Sequence, residues 1–477
     1  MYSVSVFLIC RMRGSRLIEI FSLLNKQELL RLRKFLLSPY FNEQKRINAL
    51  FELIVQGPEI LEKASVWAEL YPNEAYNDIV LRRLMSELLG LIVRFLSIEQ
   101  GKKSPVLGQV ALLQVLREKD AAKLYEFYFR KFSRQPSPEL LHDGTYLDAY
   151  LLESEQNTWL ERSANRSGIT NLDESIASLD KFYLFNKLKY ACTRLNNRNV
   201  LGGEFQDILL EGLLQQLGSS PYGADPAILI YLRIYQMLTR KDETEHYHIL
   251  RKMLSESALL FAVEEARHLY AFAMNYCIGG INKGDGFFLR EIFDLYKEAL
   301  ARKILLENGN LSPWDFKNIV VVGLRLSEFA WVEEFIFSYK DNIVLEKREN
   351  AFTYNLAKLH FYKKQYSEVL QLLQKLEYED VFYNLDAKVM LLKIYFESRE
   401  TEALDSLIDS FRSFLRRNKL ISDSHRTNYL NLLLFVKKLS RLRYGDKKRL
   451  QQIQMKFEET KQVADRDWLR EKMAEAK

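Results

Sequence analysis

From Val321 through the stretch Trp331–Leu415, an apolar pattern recurs with a period of about 35 residues, and few architectures accommodate such a period. Three copies align column by column: Val321, Leu356 and Leu391; Val322, Ala357 and Leu392; Leu324, Leu359 and Ile394; Leu326, Phe361 and Phe396; Phe337, Leu372 and Leu407. Within a copy these positions fall three or four apart, which places them on one face of a helix. The copies predict turns near residues 327–331, 362–366 and 397–401, each followed by a second helix. A helix pair too small to bury its own stripe, repeated at this spacing, predicts an all-α fold: an α-α superhelix, or solenoid, of stacked pairs. Leu359 and Leu372 are expected in its core.

The register resembles the tetratricopeptide repeat over about residues 315–415. Leu356 and Ala357 stand where that repeat has its Leu-Gly pair, and Tyr366, Val369, Leu373 and Leu376 fall on its later Tyr, Ala, aromatic and Ala positions. The third copy keeps Leu391, Tyr395 and Leu404 but has Thr401 at the Tyr position; the first has Trp331 there. No proline follows Pro313, so the terminal proline of the repeat is missing. Some members hold peptide carboxylates with a Lys/Asn clamp on their first helices. The corresponding residues here are Tyr354, Lys358 and Met390, so the resemblance does not imply that clamp.

Outside the repeats, residues 15–100 predict a compact helical domain. Leu29, Leu32, Phe35 and Leu36 form a stripe that ends at Ser38-Pro39, and Gly57-Pro58 ends the next helix. The turn PNEAYN precedes a long leucine-rich helix from Asp78 to Ser97. The phrases LRKFLLSPYFN, LYPNEAYND and LRRLMSELLGLIVRFL, with NYCIGGINKGDGFFLREIFDLYKEAL and LRLSEFAWVEEFI later, resemble a family of helical-repeat proteins from Bacteroidota-type bacteria to which no activity is assigned. Residues 105–314 predict an irregular array of helical hairpins. Its helix starts are marked by a capping residue before proline at Ser104-Pro105, Ser137-Pro138, Asp225-Pro226 and Ser312-Pro313. No alternating strand is evident, and Ile319–Val322 lies in the helical register. Residues 416–477 predict basic and capping helices, the last over about 457–475, carrying Val463, Trp468, Leu469 and Met473 and docking on the array as its cap. Residues 1–14 read as a tail, or as a start placed too early with Met12 the true one.

Chemistry is sparse. Glu-x-x-His occurs at Glu243/His246, Glu245/His248 and Glu265/His268, but a di-iron bundle needs further inward carboxylates, and no metal site is expected. Gly279–Gly286 lacks the strand and Gly-Lys-Ser/Thr of a phosphate loop, and Phe293 stands where a calcium loop opened by Asn282 needs Glu, so it predicts a long turn. Cys192 and Cys277 sit in apolar helical phrases, as buried inert thiols do; Cys10 is the third cysteine. So few and scattered cysteines predict no disulfide framework, and a reducing cytoplasm is the expected location. No apolar run reaches the 18 or so residues of a membrane span. A helix-turn-helix at 72–77 is disfavoured, because Asn77-Asp78 beside Glu74 would repel phosphate.

Charge is uneven. Between Phe411 and Lys456 thirteen Lys or Arg face only Asp423 and Asp446, whereas the whole chain carries +6, so the rest is net acidic. The expected function is a non-enzymatic scaffold without cofactors that binds a protein or peptide, with Tyr354, Lys358 and Lys393 on the first helices as candidate contacts. The alternative is nucleic-acid association through residues 411–456, with Arg416, Arg417, Lys437, Lys438, Arg441 and Arg443 as candidates.

Overall fold

A computed structural model of the chain describes residues 14–57, 62–102, 105–134, 141, 143–162, 170–197, 207–218, 220–240, 243–374, 381–443 and 445–476. The described residues are helical throughout, apart from short connections and one two-residue hairpin, so the fold is all-α. The chain divides into two compact units, residues 1–139 with 143–186, and residues 140–142 with 187–477.

The first unit holds α1 (Arg16–Ser22), α2 (Lys26–Leu37), α3 (Lys45–Gln56), α4 (Lys63–Leu70), α5 (Asp78–Gly101), α6 (Pro105–Glu118), α7 (Ala122–Ser133), α8 (Asp143–Arg162) and the start of α9 (Leu172–Asn196). Its core gathers Leu32, Phe35 and Leu36 of α2, Leu50, Phe51 and Ile54 of α3, and Leu81, Leu84, Leu88 and Ile92 of α5. Each helix brings its apolar residues three and four apart, and so only one face is buried. The Asn25 side chain accepts from the Glu28 amide while the Glu28 carboxylate accepts from the Asn25 amide, a reciprocal cap that fixes where α2 begins.

The second unit continues with α10 (Ile208–Leu217), α11 (Pro226–Thr239), α12 (Glu245–Ser257), α13 (Val263–Asn282), α14 (Phe287–Ala301), α15 (Pro313–Arg325), α16 (Phe329–Ser338), α17 (Leu345–Tyr362), α18 (Tyr366–Leu373), α19 (Val381–Glu397), α20 (Thr401–Arg417), α21 (Asp423–Ser440), α22 (Lys447–Glu459) and α23 (Arg466–Glu475). From α13 to α22 each helix packs on the next, and α15, α17 and α19 also pack on one another in that order. Proline starts α11 and α15: the Asp225 carboxylate accepts from the Ala227 and Ile228 amides, and the Ser312 hydroxyl from the Trp314 amide. Helix α6 likewise begins at Pro105.

The same turn closes four successive hairpins. Gly284, Ser327, Lys364 and Arg399 are left-handed, with φ of 90°, 61°, 58° and 59°. The following amides of Asp285, Glu328, Gln365 and Glu400 donate to the carbonyls of Gly280, Gly323, His360 and Tyr395, which satisfies backbone groups the helix end leaves open. Ser327, Lys364 and Arg399 recur at about the 35-residue spacing of the sequence pattern. Burial follows the columns: Val322, Ala357 and Leu392 are buried, as are Leu324, Leu359 and Ile394, while Val321, Leu356 and Leu391 are half-buried. The last column diverges, since Leu372 and Leu407 are half-buried and Phe337 is exposed; Leu373, not Leu372, fills the core beside Val369.

Three expectations need correction. The last helix is two, because the chain leaves α22 at Thr460 and starts α23 after left-handed Asp465; the Arg466 guanidinium, donating to the Thr460 and Phe457 carbonyls, stabilises the break. Only the second half of Gly279–Gly286 is a turn, since α13 runs through Asn282. Gly280 is needed inside that helix, because a Cβ there would meet the Phe288 ring at 2.2 Å. A small hairpin also exists: β1 (Leu306–Glu307) pairs antiparallel with β2 (Asn310–Leu311) around left-handed Asn308 and Gly309. Asn-Gly is the dipeptide that such two-residue turns require. The expectations for residues 1–13, Ser104, Ser137-Pro138 and Leu376 lie outside the described residues.

Candidate functional site

The polar groups that the fold converges lie on the first helices of the hairpins, in the second unit. Asp386 of α19 is their centre. The Lys317 ammonium of α15 lies 2.7 Å from its Oδ2, and the Tyr354 hydroxyl of α17 donates to the same oxygen at 2.7 Å. The Lys358 ammonium, one turn further along α17, is 3.6 Å from Asp386 Oδ2 and donates to the Tyr354 oxygen at 3.1 Å. The Lys317 ammonium also sits 5.4 Å from the Trp314 and Tyr383 ring centres, within range of cation–π attraction.

Charge is concentrated where water is scarce. The side chains of Lys317, Lys358 and Lys393 are only 13%, 15% and 13% exposed. Burial lowers the Lys358 pKa; Asp386 opposes this, and the like charges of Lys317 and Lys393 add to it. Burial pushes the Asp386 carboxyl up, but Lys358 and Lys317 outweigh it and hold the group below its ordinary value. Burial, then Asp386, raises the Tyr354 phenol well above its own. Three ammonium groups thus share two carboxylates, Asp386 and Asp465, which leaves the face a cation in excess.

Asp465 arrives from the C-terminal segment. Its carboxylate lies 3.2 Å from the Lys393 ammonium of α19. The Trp468 indole of α23 covers the same ammonium at 5.3 Å and donates through Nε1 to Glu397 at 2.9 Å. Glu397 also accepts from the Tyr366 hydroxyl and pairs with Lys472 at 3.2 Å. Burial pushes the Glu397 carboxyl up, yet the hydrogen bonds from Tyr366 and Trp468 and the charge of Lys472 bring it below its usual value. The Ala464 amide donates to the Asn428 carbonyl of α21, and Leu469 and Met473 complete the core beneath.

Of the nine residues named from sequence, three meet here. Tyr354 is fully buried, with its ring against Tyr383, so its role is to position Asp386; Lys358 and Lys393 are largely buried, their ammonium groups held by Asp386 and Asp465. The six basic residues beyond the repeats fall into two groups along the chain. Arg416 and Arg417 are exposed at the end of α20, beside the start of α21, whereas Lys437, Lys438, Arg441 and Arg443 lie at the other end of α21. An 18-residue helix separates the two groups by about 27 Å. Asp405 pairs with Lys437 at 3.5 Å and Arg441 at 3.3 Å, and burial lowers the Lys438 pKa.

Lys317, Trp314, Asp386, Glu397 and Asp465 are not marked by the sequence reading, whereas Trp468 is, with Leu469 and Met473, as part of a capping helix. One signal was available for Lys317 alone. Lys317 and Tyr354 each precede their turn residue by ten positions, just as Lys358 and Lys393 precede theirs by six. Asp465 lies outside the repeat and outside the apolar stripe of the capping helix, so no periodicity marks it.

The other chemistry is spoken for. Glu265 is buried against Lys189 at 2.7 Å and accepts from the Tyr231 hydroxyl, and His246 pairs with Glu243 at 3.0 Å. Among the described residues no group of three His, Cys, Asp or Glu is gathered for a metal. Cys192 and Cys277 are buried, and burial pushes the Cys277 thiol up to about 12. Among the described residues no helix is long and apolar enough to cross a membrane. No family profile, curated protein or solved structure matches the chain.

Proposed function

We propose that the chain is a non-enzymatic, cytoplasmic scaffold that binds a carboxylate-bearing peptide or protein segment on the first-helix face around Lys317, Lys358 and Lys393. Its architecture on this reading is a tetratricopeptide-like α-α superhelix, in the unassigned bacterial family that its sequence resembles. The turns at Ser327, Lys364 and Arg399 support the repeat, because one backbone geometry recurs at one spacing. Stacked pairs would present first-helix side chains at fixed intervals, and so recognition would be geometric.

The observation that carries the proposal is the Asp465 carboxylate on Lys393. It is a polypeptide carboxylate, delivered from far along the chain, resting on the row of lysines. Trp314, 51% exposed beside the Lys317 ammonium, adds an aromatic lip at the other end of the row. Nucleic-acid binding through residues 411–456 is the competing reading. The pairing of Lys437 and Arg441 with Asp405 argues against it, since a cation held by a carboxylate has less charge to offer a phosphate.

Selection of a displayed peptide library against the intact chain tests this. Enriched peptides are expected to share acidic residues and to lose at least tenfold in affinity on Lys317→Met or Lys358→Met. Salt-sensitive binding of oligonucleotides at about 0.15 M salt, lost on reversing Arg441 and Arg443, with no peptide enriched, would contradict it.

A further inference from the structure

Lys393 and Glu397 stand four residues apart on α19, the spacing at which an ammonium and a carboxylate ordinarily pair along a helix. Here each faces the C-terminal segment instead: Lys393 holds Asp465, while Glu397 holds the Trp468 indole and Lys472. The two groups thus form a dipolar seat, cation first and anion one turn later, that fits a helix carrying the opposite order. Asp465, Trp468, Leu469, Lys472 and Met473 supply it, at i, i+3, i+4, i+7 and i+8, the spacing of one helix face laid on a groove.

The seat is built outside its occupant. Lys393 and Glu397 belong to α19, and Tyr366 of α18 donates to the Glu397 carboxylate, a bond to which the C-terminal segment contributes no group. The occupant, by contrast, is a ten-residue helix joined to α22 by a six-residue connection that ends in left-handed Asp465. A helix that short has little stability of its own and depends on the face it covers. Leaving would strand Lys393 without a carboxylate and Glu397 without a cation, so the seat favours replacement over vacancy.

We propose that residues 463–475 are a built-in competitor, displaced by a partner helix that carries an acidic residue, an aromatic residue three positions later and a basic residue seven positions later. This rests on the proposed binding role of the first-helix face, and adds that part of the face is closed until a partner opens it.

A labelled synthetic peptide of residues 461–477, titrated into the full-length chain, tests the proposal. It should bind a loosened chain carrying Trp468→Ala and Leu469→Asp at least tenfold more tightly than the unaltered chain. Adding Lys393→Glu to the loosened chain should abolish that binding. Absence of binding to the loosened chain, or binding indifferent to Lys393→Glu, overturns the proposal. Hydrogen exchange on the unaltered chain gives a reading independent of how the variants fold. Residues 463–475 should exchange ahead of α20 and α21; exchange together with them makes the segment permanent core and refutes displacement. Library peptides that need Lys317 and Lys358 while residues 463–475 stay docked would refute displacement alone and leave the proposed function standing.

Discussion

At the scale of single residues, Asp386 decides whether the site stands. Two ammonium groups and a phenol converge on one carboxylate, and removing it leaves cations in a place with little water. Breaking a buried pair by deleting one partner costs about 3–5 kcal/mol, far more than the pair is worth against an apolar replacement. Asp386→Ala is therefore expected to destabilise the second unit by roughly that amount in urea unfolding. Its pH dependence has a definite sign. The folded carboxyl titrates below its ordinary value, so between the two values the unfolded chain binds the proton and stability rises with pH. The contribution of Asp386 is present at neutral pH and fades as pH falls through about 4 and below. Asp386→Asn should flatten that acid limb; an unchanged limb would show that the carboxylate is not held by Lys317 and Lys358.

At the scale of elements, much was legible in the sequence, and the exceptions have causes. The columns through Val322 and Leu324 predicted burial because a helix on a helix leaves one face dry, and their partners at 357, 359, 392 and 394 are buried too. The turns fell where the copies put them. Their left-handed residues, Ser327, Lys364 and Arg399, could not be named, since no glycine marks them. The Asn308-Gly309 hairpin carries a turn dipeptide but no strand pattern, because its strands are two residues long. The bend at Asp465 leaves no mark in the sequence, because charges alternate evenly across it.

Glycines inside helices divide the same way. A Cβ at Gly323 would sit 2.5 Å from Val332 Cγ2 and 3.2 Å from the Phe293 ring, whereas one at Gly90 meets nothing within 4 Å. Alanine gains up to about 1 kcal/mol of helix propensity at either position. At Gly323 overpacking costs about 1–3 kcal/mol and wins. Gly323→Ala should lower the unfolding midpoint and Gly90→Ala should raise it; a gain at Gly323 would mean that α15 and α16 are less closely packed than described.

At the scale of the whole molecule, sequence and structure contribute different parts of the account. The periodicity identified the helices that carry the polar cluster, and its three named residues Tyr354, Lys358 and Lys393 lie on them, held by Asp386 and Asp465. It could not foresee that Asp386 gathers Lys317 and Lys358, because that convergence crosses α15, α17 and α19 and depends on how they stack. Nor could charge counting foresee that Asp405, outside the basic segment, would hold Lys437 and Arg441. A run of cations in sequence becomes a surface only where the fold keeps them on one side.

The central claim is that the first-helix face holds a polypeptide segment. A photoreactive residue in place of Trp314, in the intact chain within its native cells, tests it most directly, with the same residue in place of Phe337 on α16 as the control. The account predicts a cross-link from position 314 to an acidic stretch of one protein, reduced by Lys317→Met, and none to that protein from position 337. Cross-links from 337 alone, or from 314 to nucleic acid, would contradict it.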